Sequence, residues 1–434
     1  VNKKKQIGGW VLYDWANSAF ATTVMAGFFP VFFKKFWSDG IDINDSTLML
    51  GITNSLASLI VAVTVPIMGA IADKGQAKKK FLIFFAYLGS LMTLGLFFIN
   101  QGQWIMASVV FGVGMVGFSS ANSFYDSLLP GIVDENNIDY VSGLGYAAGY
   151  FGGGLLFTLN VLMTQKPEWF GLATEAEGIR FSFITVGLWW GIFTVPLMLW
   201  VHEKSRPIFL SQRIIKEGFK EMSKTFHKIK QLRYTLLFLI AYWLYIDGVD
   251  TIVRMAVDFG ISIGLNSSDL IIALLITQFV GFPAAIAYGK LGQKWDVKKA
   301  LYLGIVIYSL ITLFGMQMTT IYEFFGLAIA IGLIQGGVQA LSRSFYSRLI
   351  PKGHEGEFYG FYNMLGKFAA IVGPALMGIC GLIMRKLGYS QNIASRAGIA
   401  SIIILFIAGA LLLYKVDENQ GKIDAQKFAH HELV

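Results

Sequence analysis

Twelve blocks of about twenty apolar residues, separated by short charged stretches, run through the whole chain and constrain its fold more than any other feature. The hydrocarbon core of a bilayer takes roughly 20 apolar residues per helix. A surface helix of a soluble protein keeps one polar face, whereas stretches such as 81–99 and 402–413 are apolar all round. Only 14% of the 434 residues are charged, against about 25% in soluble domains. In lipid a spanning segment must satisfy its own backbone, and blocks of this length do so as helices. We therefore expect an all-α integral membrane protein with twelve spans, near residues 9–34, 47–72, 81–99, 104–129, 140–164, 180–202, 234–257, 268–291, 300–318, 322–350, 358–385 and 395–415.

The 48 glycines fit this expectation, since small residues let helices approach closely where no hydrophobic effect drives them together. Gly143, Gly145, Gly149, Gly152, Gly153 and Gly154 fall within twelve residues of the fifth span. In water that density argues against a helix; in lipid it is tolerated. Cys380 is the single cysteine, which excludes a disulfide framework and a thiolate metal site. The five histidines show no ligand spacing inside a span, so no metal and no cofactor is expected. Lys3–Lys5 precede an apolar stretch of about 25 residues, too long for the core of a signal peptide.

Lys and Arg in the loops set orientation. With both termini cytoplasmic, the inside segments hold 26 of the 35 basic residues. Those segments are Lys3–Lys5, Lys74 to Lys80, 203–233, Lys290 to Lys299, Arg343 to Lys352 and the tail. Residues 203–233, with nine Lys or Arg against three Glu, read as a basic cytoplasmic linker. Basic loops contact anionic head groups, so the pI of about 9.2 points to the lipid bilayer as partner and not to nucleic acid.

The chain is also a tandem repeat. Asn122-Ser-Phe-Tyr-Asp-Ser-Leu-Leu-Pro130 returns as Arg343-Ser-Phe-Tyr-Ser-Arg-Leu-Ile-Pro351 at an offset of 221, and Gly145 and Gly152 return as Gly366 and Gly373. Gly69 to Lys80 returns at an offset of 220 as Gly289 to Ala300. Two six-helix halves in the same in–out order are parallel repeats of the major-facilitator kind. They divide the chain into a first bundle at 1–202, the linker at 203–233, a second bundle at 234–416 and a cytoplasmic tail at 417–434.

Gly69 to Lys80 resembles the loop motif of that superfamily, one residue short after Asp73. The resemblance implies that Asp73, with Lys74 beside it, sits at the cytoplasmic face near the start of the eleventh helix. There a carboxylate can meet a helix dipole and latch the halves. The second copy carries Gln293 in place of Asp73. A purely topogenic basic loop is the plainer alternative.

Four further stretches narrow the resemblance. Tyr13-Asp-Trp-Ala-Asn-Ser-Ala-Phe20, Ser142 to Gly153, Tyr245-Ile-Asp-Gly-Val-Asp-Thr251 and Gly336 to Ser344 look like the vacuole-effluxer-like branch of the major facilitators. That branch includes the autophagy-related vacuolar amino-acid exporter of yeast and many bacterial members. The resemblance spans residues 9 to 415 and implies fold and transport strongly, amino-acid efflux weakly.

Ionisable groups inside spans are costly and face wet cavities, which singles out candidates. Asp247 lies deep in the seventh span and Lys367 near the centre of the eleventh; mutual neutralisation is the structural alternative to a substrate or proton role. Asp250 and Arg254 are spaced for an i,i+4 ion pair. Asp14 and Asn17 share a face of the first span. Gln335, Gln339 and Arg343 form a polar stripe on the tenth, and Tyr150 and Trp243 are candidate aromatic walls. Asn122, Asp126, Arg343 and Arg348 fall near cytoplasmic helix ends and read as inner-gate groups.

The expected activity is secondary active transport of a small polar or zwitterionic, amino-acid-like solute, proton-coupled and by alternating access. The alternatives are a carrier for a larger metabolite, drug or organic anion and, outside transport, a lipid scramblase or membrane enzyme. An enzyme would need a convergent nucleophile–base pair, and no span supplies one. We expect a monomer in a plasma (bacterial inner) membrane, or in a vacuolar or lysosomal membrane of a eukaryote.

Overall fold

A computed structural model of the protein describes residues 2–203, 225, 227–262, 266–368 and 372–431. Most of the expected linker, and the side chain of Arg254, lie outside the described residues. Among the described residues twelve helices are long and apolar enough to cross a membrane. They are α1 (Lys3–Trp37), α2 (Leu48–Gly75), α3 (Lys78–Phe98), α4 (Trp104–Ile132), α5 (Glu135–Gln165) and α6 (Glu175–Trp200), then α7 (Arg233–Val253), α8 (Ser268–Lys294), α9 (Val297–Gly315), α10 (Ile321–Arg348), α11 (Glu355–Lys386) and α12 (Ile393–Tyr414). No strand occurs among the described residues. A further helix, labelled α13 (Glu418–His431), forms where the sequence reads only as a polar tail.

Several helices run past the apolar blocks that announce them, because polar caps extend them. Asn2 accepts from Lys4 N and starts α1 at Lys3, and Thr174 caps α6 ahead of its apolar stretch. Asn266 with Asp269 and Thr320 with Glu323 form reciprocal capping boxes on α8 and α10, each satisfying backbone donors that the first turn leaves orphaned.

The chain divides into two compact units, Val1–Asp134 with Gly145–Phe219, and Glu135–Leu144 with Lys220–Val434. The division falls inside α5. In the first unit α3 and α4 touch backbone to backbone: a Cβ on Gly117 would lie 2.7 Å from Gly89 N and 2.8 Å from Phe85 O. Ser90 Oγ donates to Gly187 O at 2.7 Å, joining α3 to α6, and Phe29 stacks on Phe111 at 3.6 Å between α1 and α4. In the second unit Gly292 and Gly337 admit Leu341 and Tyr288 between α8 and α10, and Gly248 seats Phe406 of α12 on α7. Outside these contacts Leu48, Ile52, Leu56 and Leu59 of α2 stay 50–63% exposed, an apolar exterior suited to lipid.

Gly117→Leu should therefore cost at least about 1–3 kcal/mol, the usual overpacking penalty, because the atoms it meets are backbone. Gly131→Ala, with nothing within 4 Å of the new methyl, should leave thermal unfolding in detergent unchanged. Equal melting of both variants would refute the close-packed contact.

Candidate functional site

Asp247 is 1% exposed on α7, and its carboxylate is occupied by backbone. Val372 N donates to Oδ2 at 3.0 Å and Gly373 N to Oδ1 at 2.9 Å. Thr251, one turn along α7, donates its hydroxyl to Oδ1 at 3.2 Å. Val372 opens the second described stretch of α11, a 15-residue helix running to Lys386. Both donors are main-chain N–H groups of α11, and charge-assisted bonds of this kind are the stronger ones. Only glycine fits at 373, where a Cβ would lie 2.0 Å from Thr251 Oγ1 and 2.8 Å from Asp247 Oδ1.

Asp14 on α1 is likewise buried, with side-chain hydroxyls as donors. It is 8% exposed; Ser18, one turn on, donates to Oδ1 at 3.3 Å, and Tyr125 of α4 donates its phenol to Oδ2 at 3.1 Å. Tyr125 is clamped in turn by Trp10, which stacks on it at 4.2 Å and donates Nε1–H to its carbonyl at 2.9 Å. A Cβ on Gly149 of α5 would fall 2.4 Å from Ser18 Oγ and 3.1 Å from Asp14 Oδ1.

The two sites share one pattern: Asp14-x-x-Asn17-Ser18 and Asp247-x-x-Asp250-Thr251, at an offset of 233. In each, a carboxylate accepts from the hydroxyl four residues on and lies against a glycine, of α5 in one unit and of α11 in the other.

Asn17 Nδ2 donates to Asn122 Oδ1, joining α1 to α4, and Asp126 is buried one turn beyond Asn122. Tyr150, Trp243, Asp250, Gln335, Gln339 and Lys367 are half-buried. Asp73 pairs with Lys78 at 3.1 Å while Lys74 is exposed. Arg343, 2% exposed, donates Nε and Nη2 to Ser142 Oγ and O, each at 2.9 Å. Arg348 Nη2 pairs with Asp139, and Nη1 with Glu418 at 3.3 Å. Among the described residues no group of three His, Cys, Asp or Glu side chains is placed to hold a metal ion.

A family model described as "Vacuole effluxer Atg22 like" matches residues 38–426. The chain belongs to that family. An uncharacterized MFS-type transporter, YxiO, of Bacillus subtilis (strain 168) is 39% identical over 96% of this chain and 95% of its own length. Autophagy-related protein 22 of Coccidioides immitis (strain RS) is 23% identical over 98% and 89%. Among solved structures, the human organic anion transporter MFSD10 matches with a TM-score of 0.72 at 12% identity, covering 95% of this chain and 100% of that one. The proton:xylose symporter XylE matches at 0.68 and 13%, covering 99% and 98%. The fold is that of the major facilitators, and this member of the vacuole-effluxer family is a transporter, not an enzyme.

Sequence reasoning passed over Tyr125, Thr251 and Gly373 as partners of the two carboxylates, and Asp139 and Ser142 as partners of Arg348 and Arg343. Tyr125 and Thr251 lie inside the quoted motifs, and the i+4 hydroxyl was the signal that marks both sites. Nothing in the sequence marks a backbone amide as a donor to a distant carboxylate. Asp247→Ala should raise amide exchange in the segment 372–386 by about tenfold or more, since hydrogen bonds to charged groups contribute about 1.5–3 kcal/mol. Thr251→Val should raise it less. Unchanged exchange by mass spectrometry in Asp247→Ala would show that the carboxylate does not hold α11.

Proposed function

We propose that this transporter carries a small zwitterionic, amino-acid-like solute by alternating access and is coupled to protons. The observation that carries the reading is the matched pair of buried carboxylates, Asp14 and Asp247, one on α1 and one on α7. Carboxylates in spans are expensive to keep and mark solute or proton paths. Each has a hydroxyl partner that can follow a change of protonation, and Asp247 links α7 to the backbone of α11. Replacing its charge with a proton, or drawing it to a substrate ammonium, loosens its hold on Val372 and Gly373. A ligand biases two conformations only through such differential contacts. Within the second unit Lys367, with Asp250, Gln335 and Gln339, adds polar groups and a cation for a substrate carboxylate, and Trp243 an aromatic contact; Tyr150 offers an aromatic contact in the first unit.

In this reading the chain comprises two six-helix halves, 1–202 and 234–416, working as a monomer with both termini and the 203–233 linker in the cytoplasm. The charge bias of the loops supports that orientation. The similarity to the Bacillus subtilis transporter supports a bacterial plasma membrane. Asp73 and Lys74, with Asn122, Asp126, Arg343 and Arg348, serve the inner gate.

Purified protein in proteoliposomes should take up at least one labelled zwitterionic amino acid faster under an imposed proton gradient. Asp14→Asn and Asp247→Asn should each lower gradient-driven flux by about tenfold or more, as expected when a charge-assisted contact is lost. Organic-anion flux without amino-acid flux would replace the substrate class, and flux indifferent to the gradient would remove the coupling. For orientation, Lys352→Cys in a Cys380→Ser background should resist an impermeant maleimide in intact cells, and Trp169→Cys should react. The reverse pattern would invert the topology.

A further inference from the structure

Helix α13 ties the start of α5 to the end of α10 through a line of charged side chains. From Glu135 at the start of α5 a line of alternating charge runs through α13 to the end of α10 and back to α5. Lys422 Nζ lies 2.7 Å from Glu135 and 3.0 Å from Glu418; Glu418 lies 3.3 Å from Arg348; Arg348 pairs with Asp139. The side chains grade from 62% exposed at Glu135 to 3% at Asp139. The outermost pair alone would count for little, but the line ends on a buried pair in which Asp139 Oδ1 and Arg348 Nε have no hydrogen-bond partner among the described residues. A buried pair of this kind stabilises weakly by itself and depends on its surroundings.

Three further contacts fix α13 over the line. A Cβ on Gly421 would lie 2.6 Å from Leu349 Cδ2 and 3.2 Å from Tyr234 Cβ, so glycine lets the helix seat against α10 and α7. The Phe428 ring meets His354 edge-on at 6.5 Å and lies 5.7 Å from Lys228 Nζ. Both of those side chains engage the buried Glu357, at 2.7 and 3.7 Å. Lys298 holds the approach to α13 through Tyr414 O at 2.9 Å and Val416 O at 2.8 Å. Burial draws the Lys422 ammonium down, and its bonds to Glu135 and Glu418 more than reverse this, leaving it raised overall. The lysine therefore stays charged across physiological pH, and ionic strength is the variable to which the line responds.

We propose that α13 is a regulatory clasp. It holds the first turns of α5 against α8 and α10 within the second unit, and its release sets how readily those turns come away. Gln293 Nε2, donating to Asn136 O and Asn137 Oδ1 at 3.0 Å each, and Ser142 beneath Arg343 are the contacts it protects.

The test reads exposure of α5, not transport, and so stands apart from the substrate and coupling reading. Val141, 3% exposed, is replaced by cysteine in a Cys380→Ser background, and maleimide labelling is timed in nanodiscs. Lys422→Glu and deletion of residues 417–434 should each speed labelling by about fivefold or more, within the range of coupled charge networks. Glu135→Lys added to Lys422→Glu should return the rate at least halfway, and 1 M salt should speed labelling of the otherwise unaltered chain. Melting curves establish that each variant is folded. Equal rates with and without residues 417–434, or no recovery in the double charge reversal, overturn the clasp.

Discussion

Inside a bilayer each helix must satisfy its own backbone, and water offers no hydrophobic incentive for helices to meet there. What remains is close contact, and in this chain glycine supplies it. The approach of Gly117 to the Gly89 backbone, and the seats for Leu341, Tyr288 and Phe406, bring helix axes near enough for side-chain hydroxyls and carboxylates to reach backbone on the next helix. Ser90 on Gly187 O and Asp247 on Gly373 N exist because those surfaces are bare. The polar chemistry of the protein is thus a consequence of its packing.

The two carboxylates show how one local design acquires two characters. Asp14 and Asp247 have the same hydroxyl neighbour and the same glycine contact, yet their remaining partners differ. Tyr125 is a side chain that can swing once its bond is lost, although Trp10 restrains it. Val372 and Gly373 donate from the main chain, and letting them go means releasing the backbone of α11 from α7. Protonation or ligand binding at Asp14 would be a local event; at Asp247 it engages the course of α11.

The spans and the family were legible from the sequence because both rest on signals that repeat: apolar length, loop charge and motifs in a fixed order. Helix ends were less so. Lys3 and Glu175 lie outside the apolar blocks, and their helices are set by single caps at Asn2 and Thr174. The candidate acids were visible as costly residues in apolar surroundings, whereas their partners were not. A backbone amide has no sequence signature, and the alignment of Asp14 with Asp247 departs from the constant offset of the loop motifs. Least legible was α13, whose polar sequence suits a solvated tail equally well, and whose partner Glu135 lies far away along the chain.

The gap between Gly373 and Thr251 carries a consequence for descent. A methyl group at 373 would stand 2.0 Å from the threonine hydroxyl, and one at 149 would stand 2.4 Å from that of Ser18. At 373 the threonine Cβ also stands 2.9 Å away, so glycine is held there while the helices keep their spacing; at 149 a turn of the serine hydroxyl makes room. A side chain at 373 is therefore tied to a smaller residue at 251, whereas one at 149 asks only for a new serine rotamer and costs Ser18 its bond to Asp14.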